Sequence, residues 1–276
     1  MDYMELKCRV VPAEPGYEIL IAELSEQGYD SFVENDDELL AYITENDFDK
    51  NVLDRLDIIN MDNFEVSFER TLIKDQNWNA KWEEDYSPVM IDNRVSIRAP
   101  FHKKPNVEFD IEIMPKMSFG TAHHATTAQM IQLLLAKDVK GLDVLDMGSG
   151  TAVLAILASM KGAKHIDAID NDEWAYNNAV ENVERNNCSN ITTELGDASL
   201  LKGREYDFII ANINRNILLN DLQSYASSLK SGCALYMSGF YEEDIPKLEE
   251  EANKWGISFV SHQVEDEWVA SKWIKQ

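Results

Sequence analysis

Residues 144–156 read VLDMGSGTAVLAI. An apolar strand runs into an aspartate, then a loop of small residues, then an apolar helix. Glycines at such a turn permit positive φ and let the backbone approach a ligand closely. A loop of this kind, opening a helix after a buried strand, can cradle a nucleotide. The dinucleotide fingerprint G-x-G-x-x-G requires a third glycine. Here Gly148 and Gly150 are present, but Val153 holds the third place. The loop is instead D-x-G-x-G-x-A, with Asp146, Gly148, Gly150 and Ala152.

The surrounding chain alternates between strand and helix periods. From Arg94 onward, LDVLDM, HIDAID, ITTEL, YDFIIAN and CALYMSG are strand-like. AVLAILASMKG, WAYNNAVENVERNN, NILLNDLQSYASSLK and IPKLEEEANKWG are helical and lie between or after them. That order predicts an α/β domain over 94–276, a seven-stranded, mostly parallel, Rossmann-like sheet with helices on both faces. The last two strands, in ISFVSHQVEDEWVASKWI, have no helix between them and should pair antiparallel. Residues 1–70 show a different order. MELKCRVV, SFVE, LLAYI and FEVSFER are strands; PGYEILIAELSEQG and KNVLDRLDII are amphipathic helices. The β-α-β-β-α-β order suggests a small ferredoxin-like α+β domain. Residues 71–93 form a connector whose Trp78 and Trp82, four apart, share one helical face.

The charge is unevenly spread. The chain carries a formal net charge of −25, and residues 1–70 hold 19 acids against 5 bases, a net of −14. Such a surface either is merely solvated or attracts a basic partner. Direct nucleic-acid binding is disfavoured, because phosphates would be repelled. The three cysteines, Cys8, Cys188 and Cys233, form no CxxC pair, so neither a disulfide frame nor a thiolate zinc site is expected. No apolar run is long enough for a membrane span and the N-terminus does not resemble a signal peptide, so a cytoplasmic monomer is expected.

Preceded by a buried strand, the D-x-G-x-G-x-A loop resembles the first motif of class I methyltransferases, which bind S-adenosylmethionine. Asp170 follows the glycines by about 20 residues and can accept from ribose hydroxyls. Asp172 is the better N-cap of the next helix, which leaves Asp170 free. Asp197, in GDAS, stands where class I methyltransferases contact the adenine amino group, although it could equally be a turn aspartate. Asn212 ends the strand YDFIIAN and should project into the crevice where open α/β sheets bind ligands. Its amide could orient an amine nucleophile. The Pro-Pro-aromatic tail of DNA-adenine and glutamine methyltransferases does not follow it.

The stretch PKMSFGTAHHATT, residues 115–127, resembles the M-x-F-G-T-G-x-H-x-T-T signature of bacterial ribosomal-protein methyltransferases of the PrmA type. These act on the large-subunit protein numbered eleven. The W-x3-W, Y-x-P, ANI, MSG and EWVASKW stretches fit the same family, so the resemblance spans essentially the whole chain. It implies a cofactor, S-adenosylmethionine, and a basic large-subunit ribosomal protein as substrate, methylated on lysine side chains or the N-terminal amine. It places Thr127, Gly148, Asp170 and Asn212 at cofactor-binding positions, and Phe119, Gly120 and Thr121 in a loop closing over the cofactor's methionine end. Asn212 is also the implied catalytic residue, orienting the amine. Ala122 and Ala152 replace family glycines, Ser149 replaces a cysteine, and His123 stands where Thr or Ser is usual. Two other functions share the cofactor motifs: a class I methyltransferase of another protein or small molecule, and a non-catalytic cofactor-binding adaptor. His123 and His124 have no carboxylate partner at ligand spacing, and no metal is expected.

Overall fold

A computed structural model describes residues 2–35, 38–74, 86–116 and 118–276. Trp78 and Trp82 lie outside the described residues, as do Asp36 and Asp37. The chain divides into two compact units, Met1–Asp85 and Tyr86–Gln276.

In the first unit, β1 (Tyr3–Val11), α1 (Ala13–Glu26), β2 (Ser31–Asn35), β3 (Glu38–Thr44) and β4 (Glu65–Ile73) follow the expected order. The sheet order β2-β3-β1-β4, all antiparallel, is that of a ferredoxin-like fold. Its inward face carries Leu6, Cys8, Val10, Leu39, Ala41 and Ile43, which pack on Leu20 and Leu24 of α1. Alternation at period two separates these from exposed neighbours, as a half-buried strand requires. The expected second helix is absent. Two 3-10 turns, Val52–Arg55 and Asp57–Asn60, replace it, with Leu56 extended between them at φ −83° and ψ 121°. A continuous helix would turn Ile58 away from Val52 and Leu56. Breaking at Leu56 lets all three be buried.

The second unit begins earlier than expected, since β5 (Val89–Ile91) falls within the supposed connector 71–93. It joins β6 (Val95–Arg98) and β7 (Phe109–Glu112) in a small sheet of order β5-β6-β7. Next come α2 (Ala125–Ala136), β8 (Asp143–Met147), α3 (Val153–Met160), β9 (His165–Asp170), α4 (Glu173–Arg185) and β10 (Ile191–Leu195). The unit continues through β11 (Tyr206–Asn212), α5 (Arg215–Ser228), β12 (Leu229–Tyr241), α6 (Ile245–Lys254), β13 (Ile257–Glu265) and β14 (Trp268–Lys275).

The seven-stranded sheet has the order β10-β9-β8-β11-β12-β14-β13 and is parallel except where β14 pairs with β12 and β13. Chain order reverses beside β8, which creates a switch point at its carboxyl end. Apolar clusters cover both faces. Residues 153–158 of α3 are all buried, because α3 packs on β7 of the small sheet as well as on β8 and β9. A helix enclosed on all sides must be apolar all round, which accounts for VLAILA.

Candidate active site

The cleft, about 680 Å³ in volume, opens at the carboxyl ends of β8, β9, β11 and β12. Gly148 and Gly150 floor it at φ +69° and +55°, and Gly239 adds a wall at φ +96°. A side chain at Gly148 would overlap Ile213 Cγ2, and one at Gly239 would overlap the Ile213 carbonyl. Ile213 is thus wedged between two glycines beside the cleft. A side chain at Gly150 would overlap the Phe119 carbonyl.

Asp170 lines the cleft at the end of β9. Its Oδ2 accepts from Gly150 N at 2.8 Å and its Oδ1 from Asp172 N at 3.0 Å. The carboxylate therefore shapes the glycine loop and keeps lone pairs for further donors. Asp172 caps α4 by accepting from Ala175 N at 2.9 Å, as expected. Glu173 in the first turn and Arg185 in the last complement the helix dipole.

Asn212 lines the cleft at the end of β11. Its Nδ2 donates to Thr127 Oγ1 at 3.3 Å, while its Oδ1 is buried and has no hydrogen-bond partner. An unpaired buried carbonyl oxygen costs free energy until a donor reaches it. With Nδ2 toward the Thr127 hydroxyl, Oδ1 is left as a buried acceptor without a partner.

Several expected cofactor positions bond to the protein itself and lie outside the cleft lining. Thr127 is buried, does not line the cleft, and holds Asn212. Asp146 is buried and does not line it either; its Oδ2 accepts from Ala155 N at 3.0 Å and so fastens α3 to β8. Burial pushes the Asp146 carboxyl up to about 7, against the Ala155 hydrogen bond and helped by nearby Asp170. Asp197 is exposed and outside the cleft lining; it caps a 3-10 turn, its Oδ1 accepting from Ser199 N at 2.9 Å, and the Ser199 contacts hold its carboxyl low. It serves as a turn aspartate, and its carboxylate keeps lone pairs for a further donor. Phe119 lines the cleft and is 54% exposed. Gly120 and Thr121 do not; Gly120 adopts φ +106° and Thr121 Oγ1 contacts His123 Nδ1 at 3.1 Å.

Other groups were not identified from sequence. Trp174, on the first turn of α4, lines the cleft and is 76% exposed. Asn214, which caps α5, and Ile213 follow Asn212 at the end of β11. Position just beyond a strand's carboxyl end is the signal that could have found them. Trp268 enters because β14 runs antiparallel and starts beside the end of β12, opposite Tyr241. His124 also lines the cleft, 5.2 Å from Phe119 and 5.0 Å from Trp268 between ring centroids. Its Nδ1 accepts from Thr126 N and so caps α2. His123 Nε2 lies 3.0 Å from the Ser87 carbonyl. Among the described residues, no cluster of three or more His, Cys, Asp or Glu forms a metal site.

The residues present suit an adenosyl-amino-acid ligand: positive-φ glycines where backbone must approach closely, a carboxylate for hydroxyls, and a free buried acceptor. A model of the family described as ribosomal protein L11 methyltransferase (PrmA) matches residues 16–276. A protein of Phocaeicola vulgatus named ribosomal protein L11 methyltransferase is 45% identical, covering 99% of each chain. One of Chlorobaculum parvum with the same name is 37% identical over 92% of this chain and 91% of its own. The crystal structure of a ribosomal protein L11 methylase from Lactobacillus delbrueckii subsp. bulgaricus superposes with TM-score 0.64 at 25% identity, covering 69% of this chain and all of that one.

Proposed function

We infer, from the premise that this chain belongs to the ribosomal protein L11 methyltransferase (PrmA) family, that it transfers methyl groups from S-adenosylmethionine to amines of ribosomal protein L11. When bound, S-adenosylmethionine supplies a sulfonium methyl already activated for attack. What remains for the protein is to hold two reactants in line and exclude water. Asp170 is suited to accept from ribose hydroxyls, and Gly148 and Gly150 to let the ligand approach the loop. Asn212 Oδ1, buried without a partner, carries the inference that an amine is oriented here. A neutral amine donating one N–H to that oxygen has its lone pair directed and its rotation limited. An apolar surrounding lowers an amine's pKa and favours the neutral form.

No dedicated base is assigned among the cleft residues. We assign substrate recognition to the acidic first unit, supported by its net charge of −14 over residues 1–70 against a basic partner. We further propose a monomer working in the cytoplasm on a ribosomal protein rather than on nucleic acid or a membrane. No helix among the described residues is long and apolar enough to cross one.

The test is incubation with labelled S-adenosylmethionine and dissociated ribosomal proteins, followed by mass spectrometry. Methyl groups on amines of ribosomal protein L11 are expected. Label found on another protein or small molecule, or donor binding without transfer, would replace this reading.

A further inference from the structure

The segment running from β7 into the cleft is tied down at both ends. At its start, Met114 N donates to Asn182 Oδ1 at 2.9 Å, and Asn178 Nδ2 donates to Met114 O at 3.3 Å. At its far end, Thr151 N donates to Phe119 O at 3.0 Å and Thr151 Oγ1 donates to Gly120 O at 2.7 Å. The two ends are joined, since Asn182 Nδ2 donates to Thr151 O at 3.1 Å. Thr151 and Asn182 are both fully buried, and neither lines the cleft.

We propose that Thr151 and Asn182 are positioning residues: they strap Met114, Phe119 and Gly120 onto the glycine loop and so set where Phe119 stands over the cleft. The proposal rests on the reading of that cleft as the S-adenosylmethionine site. Three facts support it. First, an asparagine can accept and donate at once, so Asn182 serves an N–H on one strand of the strap and a C=O on the glycine loop together. Second, Gly150 leaves no room for a side chain against the Phe119 carbonyl, so strap and loop are in direct contact and cannot shift independently. Third, Thr151 and Asn182 are themselves fully buried. Losing either side chain takes a partner from Met114 N, Thr151 O or Gly120 O, and the segment is freed to shift.

Asn186, one turn further along α4, supplies an internal control. It accepts from Glu112 N at 2.9 Å and donates to Glu112 O at 2.8 Å and to Asn182 O at 2.7 Å, while its side chain makes no hydrogen bond to Met114, Phe119, Gly120 or Thr151. Asn182 is fully buried and Asn186 only partly, so thermal unfolding gives each variant's stability loss and binding is compared beside it. A positioning role separates them.

The test uses the full-length chain and calorimetric binding of S-adenosylhomocysteine, with thermal unfolding and amide exchange measured alongside. Thr151→Val, nearly isosteric, should weaken binding at least tenfold, whereas Thr151→Ser, which keeps the hydroxyl, should stay within threefold of wild type. Asn182→Ala should weaken binding at least tenfold and speed exchange at the residue 151 amide by a similar factor. Asn186→Ala should bind within threefold of wild type. Wild-type binding with Thr151→Val unchanged would overturn the strap, as would Asn186→Ala losing as much affinity as Asn182→Ala. A wild-type chain that bound no S-adenosylhomocysteine would overturn the reading of the cleft itself, and the strap's role with it.

Discussion

Three acidic or amide side chains do different work because of what already pairs with them. Asp170 spends one hydrogen bond per oxygen on the backbone and faces the cleft. Asp170→Ala should lose charged hydrogen bonds to ribose worth about 1.5–3 kcal/mol each, roughly 10- to 150-fold in affinity per bond. It should also loosen the glycine loop, so calorimetry should show at least tenfold weaker S-adenosylmethionine binding. Asn212 differs in that its oxygen is free. Asn212→Ala should lower turnover more than donor affinity; equal loss of both would remove its orienting role. Asp146 is neither exposed nor free. With its carboxyl raised to about 7 by burial, the folded chain holds a proton that the unfolded chain releases near pH 4. Stability of the ligand-free protein should therefore fall as pH rises from about 4 to about 7 and level off above. Asp146→Asn can still accept from Ala155 N and removes this titration. Denaturant unfolding at pH 5 and pH 8 should show the difference between the two pH values shrinking by roughly 2–3 kcal/mol in the variant.

At the scale of elements, the site is a meeting of strand ends held by loops at positive φ. Gly148 and Gly239 both crowd Ile213, but through different atoms. Gly148 faces the Cγ2 methyl of a side chain, Gly239 a backbone carbonyl. Gly148→Ala should thus be partly rescued by Ile213→Ala, while Gly239→Ala should not, in thermal unfolding and in donor binding. Ala152 and Ala122 adopt φ +63° and +65°. A non-glycine residue there costs about 1–2 kcal/mol, yet both methyls are buried and a buried methyl returns about 0.8 kcal/mol. The two effects nearly cancel, so Ala152→Gly should move stability by less than about 1 kcal/mol. That balance explains how alanine stands at both turns. The failed second helix of the first unit belongs to this scale too. Apolar residues at Val52, Leu56 and Ile58 could each be buried only if the backbone left the helix at Leu56.

At the scale of the whole molecule, charge and cleft fall in separate units. Residues 1–70 carry −14 of the −25, and every residue lining the cleft lies beyond Tyr86. A chain beginning at Tyr86 should therefore bind S-adenosylmethionine nearly as well as the full protein and lose most methylation of intact L11. If electrostatics draws the substrate in, full-length activity should also weaken with salt, as the Debye length contracts from about 10 Å at 0.1 M to about 3 Å at 1 M. Truncated protein that methylates intact L11 at the full-length rate would assign substrate choice to the second unit alone.

Local physics made much of this legible in the chain itself. Strand and helix periods, the glycine turn after a buried strand, Asp172 as a cap, and Asp170 and Asn212 at strand ends all depend on neighbours a few residues away. The ferredoxin-like order followed from the same patterning, as did the antiparallel close of the main sheet. Other features depend on partners far along the chain. Thr127 is tied to Asn212, 85 residues on, whose amide donates to its hydroxyl oxygen. Asp146 and Asp197 look alike in sequence, yet the Ala155 amide fastens the first in the core and the Ser199 amide makes the second a turn cap. Trp268 reaches the cleft through an antiparallel pairing, and Asn182 meets Thr151 across 31 residues. Hydrogen-bond donors and acceptors are promiscuous in sequence, and only the packed tertiary structure chooses which pair excludes the rest.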